Sequence, residues 1–218
     1  MEKKKLSLTH RLRPSKNSDA KSPLLVMLHG FGSDENDLFS FADELPEKYT
    51  IVSLRAPIQM QPYGNAWYNI YFDNSEGKFS DTEQAIKSRD LLKEILGEIH
   101  NHYNTDPNNV TLLGFSQGTI LSFAVALSYP KLVRNVIGLS GYINEDLLKE
   151  GYRNHDFSRL KVYSSHGSVD QVIPVDWARK TKPLLEKLNI DCSYSEFPVG
   201  HGVAPQNFQE LKDWLEKW

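Results

Sequence analysis

Five short runs of mostly branched aliphatic residues recur along the chain, separated by stretches with helical spacing. They lie at residues 24–28, 51–54, 110–113, 136–139 and 160–163. Each alternates only weakly, which is typical of strands buried on both faces of a parallel sheet. Residues 192–197 alternate more clearly and form a sixth strand candidate. Strands that alternate with helices predict an α/β fold with a mostly parallel central sheet and helices on both faces.

Three helices are predicted between and after these runs. The first begins at Ser80, which has capping-box form with Glu83, and ends near Asn104. Pro174 opens the second helix. Its predicted inward stripe is Ala178, Thr181, Leu185 and Leu188. The apolar positions that predict the C-terminal helix are Phe208, Leu211, Trp214 and Leu215.

Length and composition restrict the class of protein. A chain of 218 residues is expected to form a single domain over residues 1–218, with a core large enough to be stable without disulfides or a structural metal. The net charge of −3 gives no general attraction to nucleic acid. The one cysteine, Cys192, excludes an internal disulfide and any multi-cysteine zinc site.

Targeting and membrane segments are not expected. Residues 1–5 are basic, but no apolar stretch of signal-peptide length follows them. The chain also lacks the roughly 18 consecutive apolar residues of a membrane-spanning helix. We therefore expect a cytoplasmic protein without stable membrane insertion, and the sequence leaves open whether it forms a homodimer.

A nucleophile candidate follows the run at residues 110–113. Residues 114–118 read Gly-Phe-Ser-Gln-Gly, a G-x-S-x-G pentapeptide that precedes an apolar helical stretch. In a nucleophile elbow, a sharp strand-to-helix turn presents the serine oxygen above the sheet. Ser116 is therefore the predicted nucleophile, and the alternative is an ordinary loop serine between glycines.

Two backbone amides are candidates for an oxyanion hole. Residues 29–32, His-Gly-Phe-Gly, follow the first run. In hydrolases with an elbow serine, such a loop supplies one amide, and the residue after the nucleophile supplies the other. The predicted donors are the N–H groups of Phe31 and Gln117. A glycine turn before a helix capped by Ser33 is a structural explanation compatible with this one.

The general base is selected by chain order, which in α/β-hydrolases is serine, then acid, then histidine. This order excludes the four histidines before Ser116, namely His10, His29, His100 and His102. His155 lies in a polar stretch with no strand before it. His166 follows a strand, but the candidate acid Asp170 lies beyond it. His201, flanked by glycines after the last strand candidate, is the predicted base.

Asp170 is the predicted acid because it lies in the loop after the run at 160–163. Its expected role is to hold His201 in the productive tautomer and to stabilise the imidazolium. Asp176 falls in the first turn of the next helix, where a carboxylate simply favours the helix dipole. Asp156 has no strand before it.

Together these loops resemble the phospholipase/carboxylesterase family of serine hydrolases, which includes the acyl-protein thioesterases. The matching segments are residues 28–33, 114–118, 166–174 and 200–202, with smaller likenesses at 55–57 and 106–107. The resemblance extends from about Leu24 to the C-terminus. It implies an α/β-hydrolase fold and an ester or thioester substrate. No insertion between the runs is long enough for a cap domain, so we expect an open cleft.

The longest irregular stretch, residues 57–79, is rich in aromatic side chains. They are Tyr63, Trp67, Tyr68, Tyr71, Phe72 and Phe79. One hypothesis is that these rings, in particular Trp67 and Tyr68, wall a substrate pocket for an apolar acyl chain. The other is that they pin a long loop onto the body. The family often has Trp-Phe-Asp here, whereas this chain has Trp-Tyr-Asn at residues 67–69.

The predicted activity is hydrolysis of a carboxylic ester through an acyl-enzyme on Ser116. A small-molecule or lipid-like ester is the expected substrate, with thioesters and lysophospholipids included. Acyl transfer or peptide cleavage by the same residues, and a non-catalytic binding role, are the alternatives. No metal or organic cofactor is expected, because the sequence has no clustered His/Cys ligand set and no phosphate-cradling loop.

Overall fold

A computed structural model of the chain describes residues 6–17, 21–73 and 77–218. Its strands, in chain order, are β1 (His10–Arg13), β2 (Ser22–Leu28), β3 (Thr50–Leu54), β4 (Ile58–Gln59), β5 (Asn65–Ala66), β6 (Ile70–Asp73), β7 (Gly77–Ser80), β8 (Thr105–Phe115), β9 (Asn135–Leu139), β10 (Lys161–Gly167) and β11 (Asp191–Phe197). Its α-helices are α1 (Thr82–His102), α2 (Gln117–Ser128), α3 (Val175–Arg179), α4 (Thr181–Lys187) and α5 (Pro205–Glu216). Short 3-10 helices occur at Leu38–Glu44, Glu145–Leu147 and Tyr152–Asn154.

Seven strands form the central sheet in the order β1-β3-β2-β8-β9-β10-β11. All six strands predicted from the sequence lie in it, and every pairing among them is parallel. The edge strand β1 pairs antiparallel with β3 and was not predicted. Its four residues include one apolar side chain, Leu12, so its sequence carries no strand periodicity.

The core lies on both faces of this sheet because successive side chains of a strand point to opposite sides. Leu24 and Val26 of β2 pack on the face that also holds α1 and α2. Leu25 and Met27 pack on the other face, against α5 and the 3-10 helix Leu38–Glu44. The predicted arrangement of helices on both faces is therefore confirmed.

The first predicted helix is confirmed, but its N-cap is not Ser80. Asp81 caps α1, and its carboxylate accepts a hydrogen bond of 2.9 Å from the amide of Gln84. Ser80 is the last residue of β7. Both residues are N-cap types, and the pairing of β7 with β6 decides between them because it keeps Ser80 extended.

The second predicted helix is split into α3 and α4 at Lys180. Pro183 has no amide hydrogen to donate to the carbonyl of Arg179, so a continuous helix would lose that bond. The predicted inward positions at 178, 181 and 185 are fully buried, and Leu188 is half-buried at the end of α4. The C-terminal helix is confirmed as α5.

Residues 57–79 are more regular than predicted. β4 pairs with β5 and β6 pairs with β7, so two short antiparallel hairpins replace the expected irregular loop. The side chains of Phe72 and Phe79 lie outside the described part of the structure. No segment between the described strands forms a separate cap domain. In the part of the chain that the structure describes, no helix is long and apolar enough to cross a membrane.

Candidate active site

Ser116 lies at a sharp turn between β8 and α2, with a φ of 52° and a ψ of −114°. Its amide donates a hydrogen bond of 2.9 Å to the carbonyl of Leu139 on β9, which holds the turn against the sheet. The turn requires glycine at position 118, where a Cβ atom would lie 1.9 Å from the carbonyl oxygen of Leu28. A Cβ at Gly114 would lie 2.4 Å from the carbonyl oxygen of Gly118. A side chain at position 118 would force α2 away from β2, and one at position 114 would force α2 away from β8.

The structure brings Ser116, His201 and Asp170 into one hydrogen-bonded chain. Ser116 Oγ lies 2.9 Å from His201 Nε2, and His201 Nδ1 lies 2.7 Å from Asp170 Oδ2. The serine comes from the carboxyl end of β8, the aspartate follows β10, and the histidine follows β11. Phe115 packs beside the imidazole, with 5.0 Å between ring centroids.

Asp170 has a fully buried side chain that is well supplied with donors. Its Oδ1 accepts hydrogen bonds from the amides of Val172, at 2.8 Å, and Ile173, at 3.0 Å. Burial raises the pKa of this carboxyl group, but the hydrogen bonds from His201, Ile173 and Val172 outweigh it, and the pKa lies below its usual value. The group is therefore held as a carboxylate that accepts from His201 Nδ1.

His166 also contacts Asp170, which the sequence did not predict. Its Nε2 lies 3.2 Å from Asp170 Oδ2 and 2.9 Å from the carbonyl oxygen of Ile173. Because a carbonyl oxygen can only accept, Nε2 carries the proton. His166 Nδ1 is buried and has no partner among the described residues. The motif at residues 166–174 contained both residues, but only the fold shows that their side chains meet.

The loop after β2 lies against the elbow, and a Cβ atom on Gly30 would lie 3.4 Å from Ser116 Cβ. Hydrogen bonds from Gly32 N–H to the carbonyl of Asn65, at 2.9 Å, and from Asn65 N–H to the carbonyl of Ser33, at 2.8 Å, tie this loop to β5. Within the described ranges, neither the amide of Phe31 nor the amide of Gln117 donates a hydrogen bond to a backbone carbonyl. The phenyl ring of Phe31 is partly exposed.

The side chain of Gln117 holds the 57–79 segment onto the elbow. Its Oε1 accepts from the amide of Trp67, and its Nε2 donates to the carbonyl of Tyr68, both at 2.8 Å. The indole Nε1 of Trp67 donates to the carbonyl of His29 at 3.0 Å. Trp67 is fully buried and is not among the residues that line the cavity beside Ser116. Its ring therefore pins the segment and does not wall that cavity.

His29 extends this network to the end of β3. Its Nδ1 lies 2.7 Å from the carbonyl oxygen of Gly30, so Nδ1 carries the proton, and Nε2 accepts from the amide of Ala56 at 3.0 Å. Burial lowers the pKa of His29, which favours this neutral form. The sequence excluded His29 as the base, and the structure gives it a role in holding the loop.

A cleft of about 250 Å³ opens beside Ser116 and Gln117. Tyr68 lines it, and burial raises the pKa of its phenol, which stays neutral. A contact between Tyr68 and the substrate stays a prediction. The apolar side chains of the lining are Ile70, Ile120, Val172, Ile173 and Trp177. In the described structure, Asp146 is the one lining residue with a charged side chain. The cleft thus offers an apolar wall and no cation.

Apart from His29 and His166, the alternative acid and base candidates considered in the sequence analysis lie away from Ser116. The carboxylate of Asp176 is 80% exposed and pairs with Arg179 at 2.9 Å. His155 and Asp156 are exposed. His100 contacts the hydroxyl of a nearby threonine on β8 at 2.7 Å.

Comparison with known proteins identifies the family. The sequence model of the phospholipase/carboxylesterase family matches residues 14–218. The chain belongs to this family. Membership and the seven-stranded sheet make it a carboxylesterase-type hydrolase of the α/β-hydrolase fold, as the resemblance implied.

Individual relatives agree over nearly the whole chain. Acyl-protein thioesterase 1 of Candida albicans is 26% identical over 219 residues, which cover 93% of each chain. The structure of the Bacillus cereus carboxylesterase has the same fold, with a TM-score of 0.84, 20% identity and coverage of 97% of this chain and 94% of that one. The structure of esterase PE8 matches with a TM-score of 0.82 and 26% identity over 96% of this chain and 98% of that one.

Proposed function

We propose that the protein is a serine esterase that hydrolyses small uncharged esters, and thioesters of similar size, through an acyl-enzyme on Ser116. The observation that carries this proposal is the hydrogen-bonded chain from Ser116 Oγ through His201 to Asp170, at 2.9 and 2.7 Å. A serine at a positive-φ elbow, an imidazole within hydrogen-bond distance of its hydroxyl and a buried carboxylate are the parts that nucleophilic acyl transfer needs.

Acylation begins with attack by Ser116 Oγ on the carbonyl carbon, while His201 Nε2 takes the hydroxyl proton. Nε2 can accept this proton because Nδ1 already donates to Asp170. The amides of Phe31 and Gln117 hold the oxyanion of the tetrahedral intermediate, and each such donor is worth about 10²–10³ in rate. Collapse of the intermediate breaks the bond to the leaving alcohol or thiol, which takes the proton from His201.

Deacylation repeats these steps with water. His201 removes a proton from a water molecule, whose oxygen attacks the acyl carbon, and the same two amides hold the second oxyanion. The proton then returns to Ser116 Oγ as the carboxylic acid leaves. Asp170 stabilises the imidazolium in both halves without being protonated itself.

The cleft supports a small, uncharged substrate. Its volume of about 250 Å³ is below the roughly 300–1,000 Å³ of sites that enclose drug-sized ligands. Five apolar side chains line it, and Asp146 disfavours an anionic acyl group by like-charge repulsion. We therefore expect turnover to fall as the acyl chain outgrows the cleft, and succinyl half-esters to be poorer substrates than butyryl esters.

Active-site labelling tests the proposal. Treatment with a fluorophosphonate followed by peptide mass spectrometry is expected to give one adduct, on Ser116. Ser116→Ala is expected to abolish both labelling and turnover of p-nitrophenyl butyrate. Ser193→Ala is the matched control, because Ser193 is an exposed serine on β11 whose loss should change neither. An adduct on another serine, or undiminished turnover by Ser116→Ala, contradicts the proposal.

A further inference from the structure

A second concave site lies at the opposite end of the sheet from Ser116. It is a cavity of about 380 Å³ between the segment before β9, the segment before β10 and the start of β8. We call it the basic cavity, because its charged lining residues are Lys131, Arg134, Arg159 and Asp156. Ser116 lies at the carboxyl ends of the strands, and the five residues of β9 alone separate the two ends by roughly 16 Å.

Arg134 is the least exposed of the cations that line this cavity. Its backbone is fixed in the sheet, since its amide donates to Val110 and its carbonyl accepts from Lys161, both at 2.9 Å. The residue is half-buried, and no carboxylate of the described residues lies within ion-pair distance of its guanidinium. By contrast, Arg55 makes a bidentate pair with Glu35, at 2.5 and 2.6 Å.

The remaining charges of the basic cavity reinforce this excess of cations. Lys131 and Arg159 are also without a carboxylate partner in the described ranges, and Arg159 is oriented by a 3.1 Å hydrogen bond to the carbonyl of Asn108. The single acid, Asp156, already accepts a 2.9 Å hydrogen bond from the amide of Ser158. The cavity lining thus carries three cations and one carboxylate, in a protein whose net charge is −3.

We infer that the basic cavity binds a small molecule that carries a phosphate group. Two guanidinium forks and one ammonium group match the several oxygens and double charge of a phosphate better than the single charge of a carboxylate. The volume exceeds that of a bare anion and falls within the range of small-molecule sites. Buried Val133 and Leu160 give the cavity an apolar floor for an organic group attached to the phosphate.

Isothermal titration calorimetry on the full chain tests this inference with inorganic phosphate and glycerol 3-phosphate. Glycerol 3-phosphate is expected to bind, with sodium sulfate competing and sodium chloride at equal ionic strength competing less. Arg134→Gln should weaken its affinity at least about 10-fold, because one charge-assisted contact is lost. Lys87→Gln, which removes one exposed charge from α1, is the control and should change nothing.

A phosphate can also belong to a lipid headgroup, so sedimentation with phosphatidic acid vesicles forms a second arm. In either experiment, binding that Arg134→Gln weakens supports the site. Binding in calorimetry indicates a free phosphate compound as the ligand, and binding in sedimentation indicates a lipid headgroup. If Arg134→Gln does not fold, the double variant of the exposed Lys131 and Arg159 to Gln replaces it. No binding in either arm, or binding that these variants leave unchanged, overturns the inference. Neither arm measures ester turnover, so this outcome is independent of the proposed function.

Discussion

Gln117 has two separable tasks, and Gln117→Ala removes only one of them. The backbone amide, which we propose as an oxyanion donor, is kept in the variant. The side chain, which bonds the amide of Trp67 and the carbonyl of Tyr68 at 2.8 Å each, is lost. Both backbone groups belong to buried residues, so the variant leaves one buried donor and one buried acceptor without their partners.

The size of the effect follows from these two groups. Leaving a buried polar group unpaired costs about 1–3 kcal/mol, and water entering from the adjoining cleft will relieve part of the loss. We therefore expect the free energy of unfolding to fall by about 2–4 kcal/mol. For a chain of this length, this corresponds to a drop in Tm of about 5–15 °C.

Differential scanning calorimetry measures the drop, and Gln84→Ala provides the matched control. The Gln84 side chain accepts one hydrogen bond, of 2.9 Å, from the amide of Asn69 in the same segment, and it is only half-buried. Its loss should cost about 0.5–1 kcal/mol. Well below its Tm, Gln117→Ala should still be labelled by a fluorophosphonate. If Gln117→Ala is no less stable than Gln84→Ala, the Gln117 side chain does not hold the 57–79 segment onto the elbow as inferred from its two hydrogen bonds.

Three further predictions follow from single contacts. Gly118→Ala should prevent folding or lower Tm by more than about 10 °C, an effect as large as that of a severe core defect, because its Cβ would overlap the carbonyl oxygen of Leu28. Gly97→Ala, at an open position of α1, should instead stabilise the protein by about 0.5–1 kcal/mol. Thermal melts of both variants measure these changes. Arg55→Met should cost about 1–2 kcal/mol at neutral pH. Arg55 lowers the pKa of Glu35, so the stability that this pair contributes is present above pH ~4.3 and is lost as pH falls through the lowered pKa. The Tm values of variant and wild type should therefore converge in acid. A difference in Tm that stays constant with pH would contradict the contribution of this ion pair. His166→Ala should lower kcat about 10-fold with KM unchanged in steady-state assays, because the loop that carries Asp170 loses the hydrogen bond from His166 Nε2 to the carbonyl of Ile173, and an unchanged kcat would refute that role.

Most of the sheet could be predicted because its central strands are buried on both faces and form continuous apolar runs, while β11 shows the alternation of a half-exposed strand. The edge strand β1 could not, since its residues have no such pattern and it depends on pairing with β3. Local signals failed where tertiary contacts decide between similar choices. Ser80 and Asp81 are both N-cap types, and only the β6–β7 hairpin selects Asp81.

The candidate site shows the same division. Glycine spacing and chain order suffice to nominate Ser116, Asp170 and His201, because each follows a strand whose carboxyl end lies at one edge of the sheet. The position of Trp67 could not be predicted, since the sequence around a loop tryptophan does not show whether its ring walls a cleft or lies beneath it. Its burial follows from the bond to the carbonyl of His29, a contact between segments far apart in sequence.

Trapping of the acyl-enzyme tests the central claim most directly. The protein is mixed with p-nitrophenyl butyrate, quenched in acid during turnover, digested and mapped by mass spectrometry. We predict a butyryl group on the peptide that contains Ser116, absent from Ser116→Ala and present in Ser193→Ala. A butyryl group on another residue, or turnover by Ser116→Ala at the wild-type rate, would contradict the account.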